Sequence, residues 1–283
     1  MDRWLSNRFR DSTQPARTNR PPLVYDLERL AHAEGSQLIL SPYFDLRDAD
    51  GFSAGLRLRG KLELPRVSDR LDLVFDSDYN EGDLTPEIKE ANRARIGNDE
   101  RGAAGLRLRL SDDLKFRPSL ELGLKFKPDP LPRIGLRLRL AHENGTFTTR
   151  FIQRFFWEGK NGWGERSSLD FEKSVRDEYL VRLNTSILWT ETSEGVQAGE
   201  TLQLYRFLSN RRAVGLKFGV YGPVEPSVHV ETYSARVSWR QRMHRNWLFI
   251  KVEPGFDWPH DRDYKTTPVV QVVLDIIFGD WVD

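Results

Sequence analysis

The chain has 283 residues, 43 Lys and Arg against 42 Asp and Glu, five His, no Cys and a mean hydropathy of −0.57. With 30% of residues charged, no apolar run approaches the ~18 to 20 residues that a membrane helix needs, so any membrane insertion must use strands. Low hydropathy does not argue against that, because a transmembrane strand shows lipid only one of its sides. The missing cysteines exclude disulfide frameworks and thiolate metal sites together.

Residues 1–35 differ from the rest: Arg-rich at first, punctuated by Pro15, Pro21 and Pro22, then compatible with a helix from Tyr25 to Ala33. We read them as a periplasmic tail or a lumen plug, with Trp4, Leu5 and Phe9 as a small apolar face. Met1-Asp2-Arg3-Trp4-Leu5-Ser6 lacks the apolar run of a secretory signal, so the expectation is that such a signal has been removed.

From residue 37 the pattern has a period of two. Leu56-Arg57-Leu58-Arg59, Leu106-Arg107-Leu108-Arg109-Leu110 and Leu136-Arg137-Leu138-Arg139-Leu140 alternate apolar and basic residues, which means extended strands with chemically opposite faces. The strands predicted in chain order are 37–46, 53–64, 70–76, 102–110, 115–127, 133–141, 146–157, 166–174, 179–190, 197–208, 213–222, 230–241, 247–257 and 268–278. They make fourteen, or twelve if the first strand and the break at Pro128-Asp129-Pro130-Leu131-Pro132 are set aside. Short turns at 65–69, 111–114, 142–145, 175–178, 209–212 and 242–246 alternate with longer connections such as 77–101, 159–165 and 258–267. An even strand count with short turns on one side and long loops on the other is the pattern of a closed antiparallel transmembrane β-barrel. The expected organisation is an N-terminal extension over 1–35, a barrel over 36–279 and a tail over 280–283.

Alternation alone does not say which face is outside. A barrel this wide with an apolar interior would enclose an unfilled cavity, which favours lipid outside and charge inside. Trp157, Trp189 and Trp258 fall at strand ends on the long-loop side, with Trp239 and Trp247 beside a turn on the other, as two membrane-interface girdles require. In the last strand Val270, Val272, Leu274, Ile276 and Phe278 share one face. That strand resembles the C-terminal assembly signal of bacterial outer-membrane β-barrel proteins, an amphipathic strand ending in an aromatic residue, although Gly279-Asp280-Trp281-Val282-Asp283 follows Phe278 here. The resemblance is to the architectural class. It implies a location in the bacterial outer membrane, contact with the lipid bilayer and lipopolysaccharide, and delivery by outer-membrane assembly machinery that reads Phe278; oligomeric state is left open.

With Leu facing lipid, parity turns Arg57, Arg59, Lys61, Arg107, Arg109, Arg117, Lys125, Lys127, Arg137, Arg139, Arg150, Arg154, Arg182, Lys217, Arg236 and Arg240 inward. Fewer acids share that face: Glu63, Asp72, Asp76, Glu121, Asp170 and Glu172. The candidate anion-binding residues are Arg57, Arg59, Arg107, Arg109, Arg137 and Arg139, because rings of Arg or Lys favour anions in pores. Salt-bridged wall residues, or a ladder for lipid phosphates, are the competing readings.

Asp76, Asp78, Asn80 and Glu87 occupy positions one, three, five and twelve of a calcium-loop pattern, but the glycine is displaced to Gly82 and Pro86 intrudes, so no metal site is expected. His32, His142, His229, His244 and His260 show no metal-ligand spacing. A basic stripe on every strand is a whole surface, which argues against a nucleic-acid patch. The expected function is therefore a passive pore or plugged channel for small anionic or polar solutes, without cofactor or catalytic residues. The alternatives are a non-transporting structural barrel and an outer-leaflet lipid-modifying enzyme.

Overall fold

The computed structural model describes residues 36–48, 51–76, 102–111, 116–126, 130–144, 147–176, 178–192, 195–245 and 247–279. The predicted extension at 1–35, the loop 77–101 and the tail 280–283 lie outside them. Fourteen strands run in chain order: β1 (Gln37–Arg47), β2 (Gly51–Glu63), β3 (Leu71–Asp76), β4 (Ala103–Arg109), β5 (Phe116–Lys125), β6 (Leu131–Asn144), β7 (Phe147–Glu158), β8 (Gly162–Val175), β9 (Tyr179–Thr190), β10 (Val196–Ser209), β11 (Arg212–Pro223), β12 (Thr232–Arg242), β13 (Leu248–Pro259) and β14 (Thr267–Gly279). Each pairs antiparallel with its sequence neighbours. Pairing of β1 with β14, from Gln37 opposite Gly279 to Arg47 opposite Val269, closes the sheet into a barrel.

The alternation decides which face is which. Leu106 and Leu136, on outward rows, are 41% and 37% exposed, whereas Arg137 and Arg150, on inward rows, are 3% and 2% exposed. Leucine thus faces the surroundings and arginine the lumen, as the sequence pattern requires of a barrel in lipid. The connections split as expected. The ends of β6, β8 and β10 lie at the rim where β1 begins and β14 ends, and the ends of β9, β11 and β13 lie at the opposite rim.

One predicted loop is shorter than expected. The connection set at 159–165 is a single 3-10 turn, Gly159–Asn161, and β8 starts at Gly162 in the left-handed region, φ 72°. Two nearby glycines give Trp163-Gly164-Glu165 the look of a turn, yet each of these residues has a cross-strand partner, Trp163 facing Trp157.

Several inward glycines lie beneath aromatic rings from the neighbouring strand. A Cβ on Gly55 would come within 2.5 Å of the Tyr43 hydroxyl, and one on Gly215 within 2.6 Å of the Tyr205 ring; Phe156 covers Gly164 in the same way. The missing side chain lets each ring lie against the barrel wall, the arrangement called aromatic rescue. At the short-turn rim Ile39, Ala213, Phe249 and Ile277 form a small apolar cluster inside the barrel, with Phe207 against it.

Candidate functional site

β6 and β7 pair in a register that puts Arg137 opposite Arg154, and the next pairing puts Arg154 opposite Arg166 on β8. Three adjacent strands therefore present three arginines side by side on the inward face, and Arg117 faces Arg139 between β5 and β6. Like charges directly opposite each other destabilise a sheet. Beside this row, Arg107 Nε donates to Glu121 Oε1 at 2.8 Å, and Glu121 lies within the field of Arg107, Arg154, Arg137 and Arg133. Gly105 and Gly123, Cα partners, leave a recess in the wall next to Glu121 and Arg133.

The inward acids are shared. Glu158 accepts from Lys125 at 3.1 Å and Arg133 at 2.8 Å. Fully buried Glu172 holds Arg182 at 2.9 Å and Arg150 at 3.5 Å. Glu253 joins Lys217 and Lys251, and Asp257 joins Arg236 and Arg47. In each group one carboxylate serves two cations, and Arg150 also reaches a second acid, Asp170, at 3.9 Å.

Of the six arginines selected from sequence, the structure brings Arg107 and Arg137 together around Glu121. The others are held apart from that cluster. Arg57 stacks over the Tyr43 ring at 4.0 Å; Arg59 pairs with Asp76 at 3.3 Å; Arg109 approaches Asp72 at 3.7 Å and donates to the Asp69 carbonyl; Arg139 faces Arg117. Arg133, Arg154 and Arg166 were not among the six. Arg133 has the parity of Arg137, and Arg166 that of Asp170 and Glu172, so the inward signal was in the sequence.

Trp157, Trp189, Trp239 and Trp258 sit on outward rows and Trp247 on the turn before β13. Trp163, assigned to a loop from sequence, joins them on the outer face of β8. Phe278 ends the outward row of β14, opposite Leu38. Asp76 lies on β3 bound to Arg59, and Asp78, Asn80 and Glu87 fall outside the described residues. His229 and His260, 31 residues apart in sequence, meet at the long-loop rim with centroids 5.6 Å apart and ring planes tilted by 53°, and Tyr264 contacts His260 edge-on.

No protein-family model and no curated protein sequence matches the chain. Among solved structures it is similar to the KdgM porin (10% identity, 84% of this chain and 98% of that one, TM-score 0.41). It is also similar to the outer membrane protein opdK from Pseudomonas aeruginosa (10%, 86% and 97%, TM-score 0.47) and to the NanC porin (7%, 84% and 98%, TM-score 0.42). With its closed ring of strands, its apolar exterior and its charged interior, the chain has the architecture of a bacterial outer-membrane β-barrel.

Proposed function

We propose that this barrel is a passive outer-membrane channel whose lumen favours small anionic solutes. The observation that carries the reading is the sharing of inward acids: Glu158, Glu253 and Asp257 each neutralise one of two adjacent cations. The wall is left with surplus positive charge, which the side-by-side Arg137, Arg154 and Arg166 concentrate. Such a row costs stability and is useful where its field draws anions in and opposes cations. Arginine stays protonated and only donates hydrogen bonds, so the row supplies field and orientation, with no nucleophile or general base: a channel wall and not a catalytic centre.

The outward tryptophans are the proposed interface girdles in the outer membrane, and the row ending at Phe278 is the surface proposed to engage the assembly machinery. The test is reversal potential in planar bilayers under a salt gradient. Anion preference is expected for the unaltered protein, and Arg137→Glu with Arg154→Glu should move the potential toward cations. Cation preference in the unaltered protein overturns the reading. A folded barrel that conducts nothing selects instead the non-transporting structural role, which the deep burial of Arg137 and Arg150 also favours.

A further inference from the structure

The outer surface of the barrel is not uniform. On β1–β6 and β11–β14 the outward rows are apolar or glycine, apart from residues beside the short turns, among them His142, Arg212 and Gln241. On β7–β10 they are not. Gln153, Ser167, Thr185 and Glu200 point outward on four successive strands, with Glu165 above Ser167 on β8. Gln153 faces Ser167, and Thr185 faces Glu200.

These residues share one depth. Gln153, Ser167 and Thr185 each lie four residues along the strand from an outward tryptophan, Trp157, Trp163 and Trp189, and Glu200 lies four residues from Val196, the first residue of β10. Four residues at ~3.3 Å rise on a strand tilted by ~40° put the row about 10 Å below the tryptophan level. That is within the hydrocarbon if the tryptophans mark the interface. Three of the side chains are already organised: Gln153 Nε2 donates to Glu165 Oε1 at 2.7 Å, and Ser167 Oγ donates to Gln153 Oε1 at 2.6 Å. Gln153 is only 8% exposed although it points outward.

Hydrocarbon offers nothing to a carboxylate or an amide, and polar groups at such depth mark contacts with other protein or with water. Lipid head groups lie too high to reach the row, and their phosphates would be repelled by Glu165 and Glu200. We propose that the outer face of β7–β10 is the interface between two copies of this chain related by a two-fold axis along the membrane normal. That axis sets β7 of one copy against β10 of the other at equal depth, so the Glu200 carboxylate of each meets the Gln153 amide of its partner. The Gln153 amide keeps a second N–H for this after donating the first to Glu165. The patch is thereby complementary to itself, as a two-fold contact demands. The inference rests on the transmembrane placement of the barrel and not on its conducting anything.

The chain has no cysteine, so a single one reports unambiguously. Ile187→Cys stands beside Ser167 near the proposed axis and leaves the polar row intact; Leu274→Cys on β14 is the control on another face. In lipid vesicles, oxidation should give a covalent dimer with Ile187→Cys and none with Leu274→Cys, and native mass spectrometry from mild detergent should show a dimer of the unaltered protein. Combining Glu200→Leu with Gln153→Leu should shift it to monomer while heat-modifiable gel mobility, the sign of a folded barrel, persists. A monomeric unaltered protein, with or without bound lipid or ion, or cross-linking equal at the two positions, overturns the interface. Conductance of either species bears on the channel reading alone.

Discussion

Replacing Leu136 by Arg tests the assignment of outside and inside most directly. Leu136 lies on the outward row of β6, five residues from Leu131 at the strand's beginning, and its Cα partners are the apolar Leu120 and Phe155. An arginine there would sit near the middle of the apolar band, among side chains that cannot accept its hydrogen bonds. The depth-dependent cost of Arg on a lipid-facing strand is about 2–4 kcal/mol at the midplane and about 0–1 kcal/mol near the interface. At 1.4 kcal/mol per decade the midplane figure lowers the folding equilibrium constant about 30- to 1000-fold. His142→Arg, on the same strand beside the short turn, should cost little. The assay is urea titration of folding into lipid vesicles, followed by tryptophan fluorescence and gel mobility. Equal costs at positions 136 and 142, or a stabilised Leu136→Arg, would refute the parity on which the lumen assignment depends.

Other expectations follow from the interior. Glu172→Ala leaves Arg150 and Arg182 without their shared carboxylate and should destabilise the barrel by about 3–5 kcal/mol in the same vesicle titration. Gly215→Ala, whose new methyl would run into the Tyr205 ring, should cost about 1–3 kcal/mol as overpacking does and, by driving the ring off the wall, reduce single-channel conductance. Anion preference should be greatest at low ionic strength and fade toward molar salt, because the screening length falls from ~10 Å at 0.1 M to ~3 Å at 1 M; reversal potentials over a dilution series measure it, and a preference independent of salt would point to steric selection instead.

The strands were legible because one physical constraint, lipid on one side and charge on the other, repeats along the chain. For β9 it gives 179–190, the bounds observed. It fails at β8, where glycines mask four strand residues, 162–165, and at β6, where His142-Glu143-Asn144 look like a turn but pair with Thr149, Thr148 and Phe147. Parity also turned the right side chains inward. It did not show which of them meet. Arg137, Arg154 and Arg166 line up only once the registers of two hairpins are known, and Arg47 reaches Asp257 because closure brings β1 round to β14, next to β13. The outward row from Gln153 to Glu200 was missed for the opposite reason: each residue reads alone as an ordinary polar break in a strand, and only their common depth on neighbouring strands sets them apart.

The seam between β1 and β14 bears on how the barrel forms. Every other strand pair joins neighbours in the chain and can zip from its own connection, whereas Gln37 must find Gly279, 242 residues away. Until it does, the sheet has two free edges, each a row of unpaired amides and carbonyls open to another chain. Bringing together such distant partners forfeits most of the loop entropy before any ladder bond repays it, which makes long-range pairing slow. Closure is therefore the natural last step of assembly, and the open sheet is the species most prone to aggregate. Slowing that one step, by weakening the ladder between Leu38–Leu40 and Ile276–Phe278, should delay the appearance of the compact, heat-modifiable form without changing the rate at which the hairpins acquire strand structure.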